Sequence, residues 1–389
     1  MKFGLFMYCT VGRKRELEAG MAGRKPELYQ RMLDEIGAYA SFADSNGYHA
    51  FGHPEHHLQI EGFEISNDPC LMAMWLAKHM QRMRVLTYGF VSTANNPLQT
   101  AEKIATLDHM LGGRFGVGLV RGYQARWLEN YKVKPELTAV GPWNAKGPDD
   151  DLNREYFAEF VEIVVKALNN ETFSHHGKFW DFPPKDFKNP HEHPVYINYG
   201  QGVDADMNIA EIGIAPKPLQ DGIPLYGGFS QSVTTAKFWA RYKGRPIILA
   251  SNPDFLKVVW NAWTEEAQSH GHEVKPGDQA CWGGAMICAQ TDEKAWALFE
   301  DMKWFWEQWA VPFGQGFPEL LVGSPDTLNK RIEAVSKTVP IDESYLLIPQ
   351  GLHEREQILD SLDLFAREVM PNHGDMPAEA LASWIPHGG

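Results

Sequence analysis

The feature that most constrains this chain is its rhythm. Short apolar runs alternate with amphipathic helical patterns almost throughout. The strand candidates cover residues 2–7, 49–52, 85–91, 115–120, 223–229, 245–250, 283–289 and 344–348. Helical patterns occupy residues 27–45, 68–79, 98–111 and 152–169, and a helix is expected after each later strand. The last spans residues 354–370, with Ile358, Leu362, Phe365 and Val369 on one face and Pro371 as its stop. Parallel strands need helical crossovers, so eight strand–helix pairs predict a parallel α/β sheet. Either a closed (β/α)8 TIM barrel or a doubly wound open sheet satisfies that pattern, and periodicity does not separate them.

The 389 residues suit one large barrel with insertions or two smaller domains. The expected division is a single domain over residues 1–371 and a C-terminal tail over 372–389. Three stretches are too long for simple connections: 122–151 after the fourth strand, 173–222 before the fifth, and 311–320 after the seventh helix. The second holds a hairpin pattern at 173–182. Above one end of a barrel such stretches suit lids, though each alone also reads as a plain surface insertion.

Composition narrows the function classes. A net charge of −14 repels phosphate backbones and anionic lipid, which argues against nucleic acid and membrane surfaces as partners. No apolar run reaches the ~18 residues of a transmembrane helix. Met1 to Met7 reads as a first strand and not as a signal peptide. Four cysteines without C-x-x-C spacing are expected to be reduced and buried, as in a cytoplasmic protein. Thirteen Trp, 21 Phe and 13 Tyr exceed what a core needs, so some are available to line an apolar pocket.

Three motifs carry chemistry. Glu55-His56-His57 follows the second strand, and a histidine at the carboxyl end of a barrel strand can exchange a proton near neutral pH. Alone, the cluster equally fits a polar loop. His53, His56 and His57 match no zinc-hydrolase spacing, and Ile209 and Ala215 break a calcium loop begun by Asp204, Asp206 and Asn208. Arg121 ends the glycine-containing fourth strand, where a guanidinium grips a phosphate or forms a structural ion pair. Ser230, Gln231 and Ser232 lie where the fifth strand turns into a helix, a place for anion binding or for capping.

Taken in order, the motifs resemble the bacterial luciferase-like family. They are Ala43-Asp44-x-x-Gly47-Tyr48, Glu55-His56-His57, Asn96-Pro97-x-x-x-Ala101-Glu102, Leu107-Asp108 and Gly113-Arg114-Phe115. Val322-Gly323-Ser324-Pro325-Asp326-Thr327 and the run from Leu364 to Pro371 follow near the C-terminus. The resemblance implies a TIM barrel holding FMN at the strand carboxyl ends, with His56 as the active-site histidine. It implies that Arg121 and the Ser230–Gln231–Ser232 turn contact the phosphate. It also implies a non-proline cis peptide at Tyr88–Gly89, under the flavin. Val120 stands where luciferases carry a reactive cysteine, which argues against light emission.

The same resemblance implies a monooxygenase in which reduced FMN meets dioxygen and forms a C4a-(hydro)peroxide. No nicotinamide motif is evident, so a separate reductase would supply FMNH2. A homodimer is implied, and the substrate is expected to be a small apolar or aromatic organic molecule. Three rivals remain open at this point: a deazaflavin-dependent oxidoreductase on the same fold, a non-catalytic flavin-binding protein, and a metal-dependent hydrolase barrel.

Overall fold

The computed structural model describes residues 1–185, 187, 194–228 and 232–374. Its strands are β1 (Lys2–Phe6), β2 (Ala50–His53), β3 (Arg84–Val91), β4 (Phe115–Val120), β5 (His175–His176), β6 (Asp181–Phe182), β7 (Leu225–Gly227), β8 (Arg245–Ile248), β9 (Cys281–Cys288), β10 (Glu319–Gly323) and β11 (Glu343–Leu347). Its helices are α1 (Lys14–Glu18), α2 (Pro26–Ser45), α3 (Pro69–His79), α4 (Pro97–Met110), α5 (Ala125–Tyr131), α6 (Pro148–Asn169), α7 (Pro194–Asn198), α8 (Val233–Ala240), α9 (Pro253–Ser269), α10 (Asp292–Phe305), α11 (Pro325–Thr338) and α12 (Arg355–Glu368). Among the described residues, no helix is long and apolar enough to cross a membrane.

The main sheet runs β10-β9-β11-β1-β2-β3-β4-β7-β8, and β8 pairs again with β9. That last pairing, Ile247 with Cys281 and Ile248 with Trp282, closes eight parallel strands into a barrel and excludes the open sheet. β10 was not foreseen: its residues were expected to be the end of an insertion and the start of a motif. It pairs with Gly284–Cys288 of β9, and the Glu319 amide bonds to Leu249 O at 2.8 Å. It thus takes over the edge of β9 beyond the end of β8. Its opening residue, Glu319, hides the strand pattern, because a glutamate is buried only when paired. Here Arg331 supplies that pair, with bonds of 2.6 and 2.7 Å.

The chain divides into two compact units, one of Met1–Gly89, Arg114–Gly118 and Pro224 onward, the other of Phe90–Gly113 and Leu119–Ile223. In the first, the barrel interior is filled by aromatic rings. Tyr88, Tyr226 and Tyr345 meet edge to face, with centroids 5.5 to 5.8 Å apart and interplanar angles of 83° to 89°. Small positions on neighbouring strands make the room. A Cβ at Gly4 would lie 2.4 Å from the Tyr345 ring, and one at Gly52 would lie 2.4 Å from the Tyr88 ring. The Tyr226 and Tyr345 hydroxyls donate to Glu343, at 3.0 and 2.9 Å. Arg245 pairs with the same buried carboxylate at 3.0 Å.

In the second unit α4 packs on α6. Asp108 of α4 accepts the backbone and side-chain N–H groups of Gln220, at 2.8 and 2.6 Å. Glu159 of α6 accepts the amides of Lys178, Phe179 and Trp180, which anchors the β5–β6 hairpin. This hairpin falls within the expected 173–182 segment.

Burial alone would raise the pKa of Glu343. The neighbouring His49, Arg245 and Tyr345 outweigh it and hold the carboxyl at about 2. Its folded pKa is therefore below the ordinary value of ~4.3, so its stabilisation is full above that value and is lost as pH falls towards about 2. Glu343→Gln leaves Arg245 without this partner and is expected to cost about 3 kcal/mol at neutral pH. Urea unfolding at a series of pH values checks this: the variant should lose the acid-dependent part of the wild-type curve, and an unchanged curve would refute the assignment.

Candidate functional site at the strand carboxyl ends

The loop after β2 carries the histidine cluster, and hydrogen bonds fold that loop back onto the loop after β1. Val11 N bonds to Gly62 O at 2.9 Å, and Ile65 N to Cys9 O at 2.9 Å. The Thr10 hydroxyl donates to Phe63 O at 2.7 Å. Gly62 is required at the crossing. Its φ is +98°, and a Cβ would lie 2.6 Å from Val11 Cγ2. The loop after β11 joins the same layer, because the Gln350 side chain accepts from Thr10 N at 2.9 Å and donates to Thr10 O at 3.2 Å.

This layer holds His56. Its amide bonds to Ser66 O at 3.0 Å, which pins the base of the loop. Its Nδ1 lies 2.8 Å from Oε2 of Glu64, a carboxylate that is 1% exposed. A carboxylate at Nδ1 favours the tautomer whose basic nitrogen is Nε2. His57 Nε2 lies 3.0 Å from Glu55. His53 has a different task. Its Nδ1 sits 3.2 Å from both Pro54 O and Ser66 Oγ, and burial lowers its pKa to about 4, so it is a neutral part of the packing near pH 7. Cys9, at φ +59°, is fully buried, and burial pushes its thiol up to about 12. That thiol is no nucleophile at neutral pH. Cys281 and Cys288 are also buried and free, whereas Cys70, expected to be buried, is half-buried.

Arg13, beside this layer, uses all five of its donors. It bonds Glu35 at 2.6 and 3.2 Å, Glu354 at 3.0 and 3.2 Å, and Gly351 O at 3.0 Å. It thereby ties the loops after β1 and β11 to α2. Aromatic rings stand over the layer. Tyr8 packs edge-on against Trp306 at 5.8 Å, and Phe63, next to Glu64, stacks on Trp304 and Trp309. Trp304 lies in the last turn of α10, and a π-helical turn, Trp306–Ala310, follows. Such turns recur at functional sites. The Trp306 indole donates to Gly316 O at 2.9 Å, which ties down the glycine-rich segment that suits either a lid or a plain surface insertion.

The other expected site residues are placed as follows. In the second unit Arg121 donates to Asp150 at 2.5 Å, the ion-pair form of its two expected roles. Burial alone would raise the Asp150 pKa, but Arg121 and Arg154 outweigh it and hold the group low. Among the described residues Asp150 engages only Nη1 of Arg121. Ser232 caps α8 by accepting from Thr235 N at 3.2 Å, while Ser230 and Gln231 lie outside the described residues. The expectation of a cis bond at Tyr88–Gly89 is corrected. The cis bonds among the described residues precede Pro183 and Pro216, and β3 runs through Gly89 with a trans peptide. The Tyr88 ring belongs to the barrel core. Gly89 lets the Glu55 backbone approach so closely that a Cβ would lie 2.6 Å from Glu55 N. Glu64 and Arg13 were missed as contributors to the site, because nothing in their local sequence marks them.

A model of the family described as luciferase-like monooxygenase matches residues 1–319. The chain belongs to that family. Among curated relatives of this luciferase-like chain is 3,6-diketocamphane 1,6-monooxygenase of Pseudomonas putida, 24% identical over 75% of this chain and 80% of the relative. Another is the FMNH2-dependent dimethylsulfone monooxygenase of Pseudomonas putida, 25% identical over 74% of each. Among solved structures, the oxygenating constituent of 3,6-diketocamphane monooxygenase from Pseudomonas putida, in complex with FMN, superposes with a TM-score of 0.70. It is 20% identical and covers 96% of this chain and 98% of its own.

The Arg13 cluster is a buried ion network, and breaking one partner strands the other. Arg13→Met leaves buried Glu35 with only the more distant Arg31, 3.9 Å away, so a loss of about 3 kcal/mol is expected in chemical denaturation. Arg13→Met combined with Glu35→Met should recover most of it; a double variant no more stable than the single one would show that the pair is not coupled.

Proposed function

We propose that this chain is the oxygenating component of a two-component monooxygenase that uses FMNH2 and dioxygen on a small apolar organic substrate. The observation that carries this reading is His56 held on a buried glutamate after β2, in a loop that also carries the stacked ring of Phe63. Membership of the luciferase-like monooxygenase family supports it, as do relatives whose names carry FMNH2 or monooxygenase.

The residues present suit a flavin phosphate. Arg121 is partly exposed and keeps donors beyond the one that meets Asp150. In the first unit, α8 begins with a capped N-terminus whose backbone dipole favours an anion. Arg121 and Ser232 are the proposed phosphate contacts, each to be tested separately. Tyr88–Gly89 remains the proposed flavin-facing backbone, now with a trans bond. Reduced FMN supplies the electrons that allow one oxygen atom to enter the substrate while the other leaves as water.

The protein's own residues have three tasks. His56 gives or takes a proton at Nε2, and Glu64 keeps the imidazole in the tautomer that does so. The rings of Tyr8, Trp306 and Phe63 keep water from the reacting groups. The layer built on Arg13, Gln350 and Gly62 holds the loops in place, so that the imidazole is already oriented when the substrate arrives.

His56→Ala is expected to keep FMN binding but to lower product formation by about 10²–10⁴-fold, with oxygen consumed without product. Oxygen uptake with enzymatically supplied FMNH2, together with product mass across small ketones and aromatics, checks this; fully coupled turnover in the variant removes His56 from the reaction. Arg121→Ala is expected to weaken FMN binding by about tenfold or more, read by fluorescence titration. Unchanged binding would leave Arg121 as a structural partner of Asp150 alone.

A further inference from the structure

The stack at Phe63 has two properties that a plain hydrophobic contact lacks. First, it is flat. Phe63 lies 5.3 Å from Trp309 at an interplanar angle of 17°, and 5.7 Å from Trp304 at 29°. The contacts of Trp306 with Tyr8 and of Trp309 with Phe313 are edge-on, and those of Trp306 with Phe317 and of Phe63 with Phe305 are tilted by 31° and 32°. The outer face of Trp304 is covered by the Lys14 ammonium at 5.4 Å. Phe63, Trp304 and Trp309 are each only half-buried, so apolar ring surface remains in contact with water. Second, the stack carries an unused donor. Trp309 Nε1 is shielded from solvent and has no hydrogen-bond partner among the described residues. A shielded indole N–H is normally bonded, and leaving it unpaired is costly. Trp306 shows the bonded outcome, since its indole donates to Gly316 O. The Trp180 and Trp260 indoles are also shielded without a partner among the described residues, and of these three shielded indoles only that of Trp309 stacks on Phe63.

The stack is carried by the same loop as the proposed reacting group. Phe63 is the chain neighbour of Glu64, whose carboxylate touches His56. We propose that the Phe63–Trp309 stack selects the substrate, and that it takes a planar apolar ring bearing a carbonyl oxygen. The flat faces cover the ring, and Trp309 Nε1 donates to the oxygen. A flexible chain of the same carbon count gains less from a flat face, and a ring without oxygen leaves the indole unpaired. This rests on the reading of the site as a monooxygenase active site and names the substrate class for it.

The test uses the full-length protein and three ten-carbon probes: α-tetralone, a ring ketone; tetralin, the same skeleton without oxygen; and n-decanal, a flexible aldehyde. Dissociation constants are measured by calorimetry, and FMN binding is titrated separately on each protein. The proposal expects α-tetralone to bind about tenfold more tightly than either other probe. Trp309→Phe keeps an aromatic ring and removes the N–H; it should abolish the preference for α-tetralone over tetralin and leave tetralin affinity unchanged. Phe63→Leu leaves the indole in place. It should weaken both ring compounds several-fold and spare decanal, which keeps the stack testable if Trp309→Phe fails to fold. Equal binding of the three probes overturns the proposal, as does full retention of α-tetralone affinity in Trp309→Phe. If α-tetralone is selected as expected but FMN does not bind, the wall stands and the flavin reading falls. If FMN binds and the probes are not distinguished, the flavin reading stands and the wall falls.

Discussion

The structure depends on a carboxylate buried in the barrel. Glu343 accepts from two tyrosine hydroxyls and pairs with Arg245 where water is excluded. An ionised group there is tolerable only because its partners are fixed in place. The carboxylate fixes the Tyr226 and Tyr345 rings, Tyr88 meets both nearly at right angles, and the rings demand glycine on the neighbouring strands. The strands can approach closely enough to close the barrel because the interior is filled by a few large side chains set against small ones, the layered packing that barrels require.

The functional end is built differently. Its loops are held by backbone hydrogen bonds, by one amide side chain bonded to both backbone groups of Thr10, and by the fully satisfied guanidinium of Arg13. Strain is confined to a few positions, of which Cys9 at positive φ is one. The result is a rigid frame around one titratable ring, with Glu64 behind it. A frame of this kind costs stability, since it buries the carboxyl groups of Glu35 and Glu64 and the guanidinium of Arg13. Such costs are typical of positions where orientation matters more than packing.

Part of the candidate site was legible from residue order. Glu55-His56-His57 after the second strand marked the histidine proposed to exchange a proton, and the structure adds the buried Glu64 carboxylate beside its Nδ1. Arg121 shows the limit of that approach. A guanidinium at a strand end reads the same whether it awaits a phosphate or already holds Asp150, because the partner lies 29 positions away and on another element. The same limit applied to Tyr88–Gly89, where the resemblance implied a cis peptide and the structure has a trans one.

The sequence alone determined the order and approximate span of the barrel strands, because hydrophobic period records which face of each element is buried. It therefore placed all eight barrel strands, most to within a few residues, and the helices after them. Tertiary structure decided what period cannot encode. It decided closure, through two residue pairs between β8 and β9. It decided that Glu319 opens a ninth parallel strand, because Arg331 neutralises its burial. It decided that Glu64 serves His56 and that Arg13 ties the loops together, since both depend on contacts between residues brought together only when the loops fold across one another.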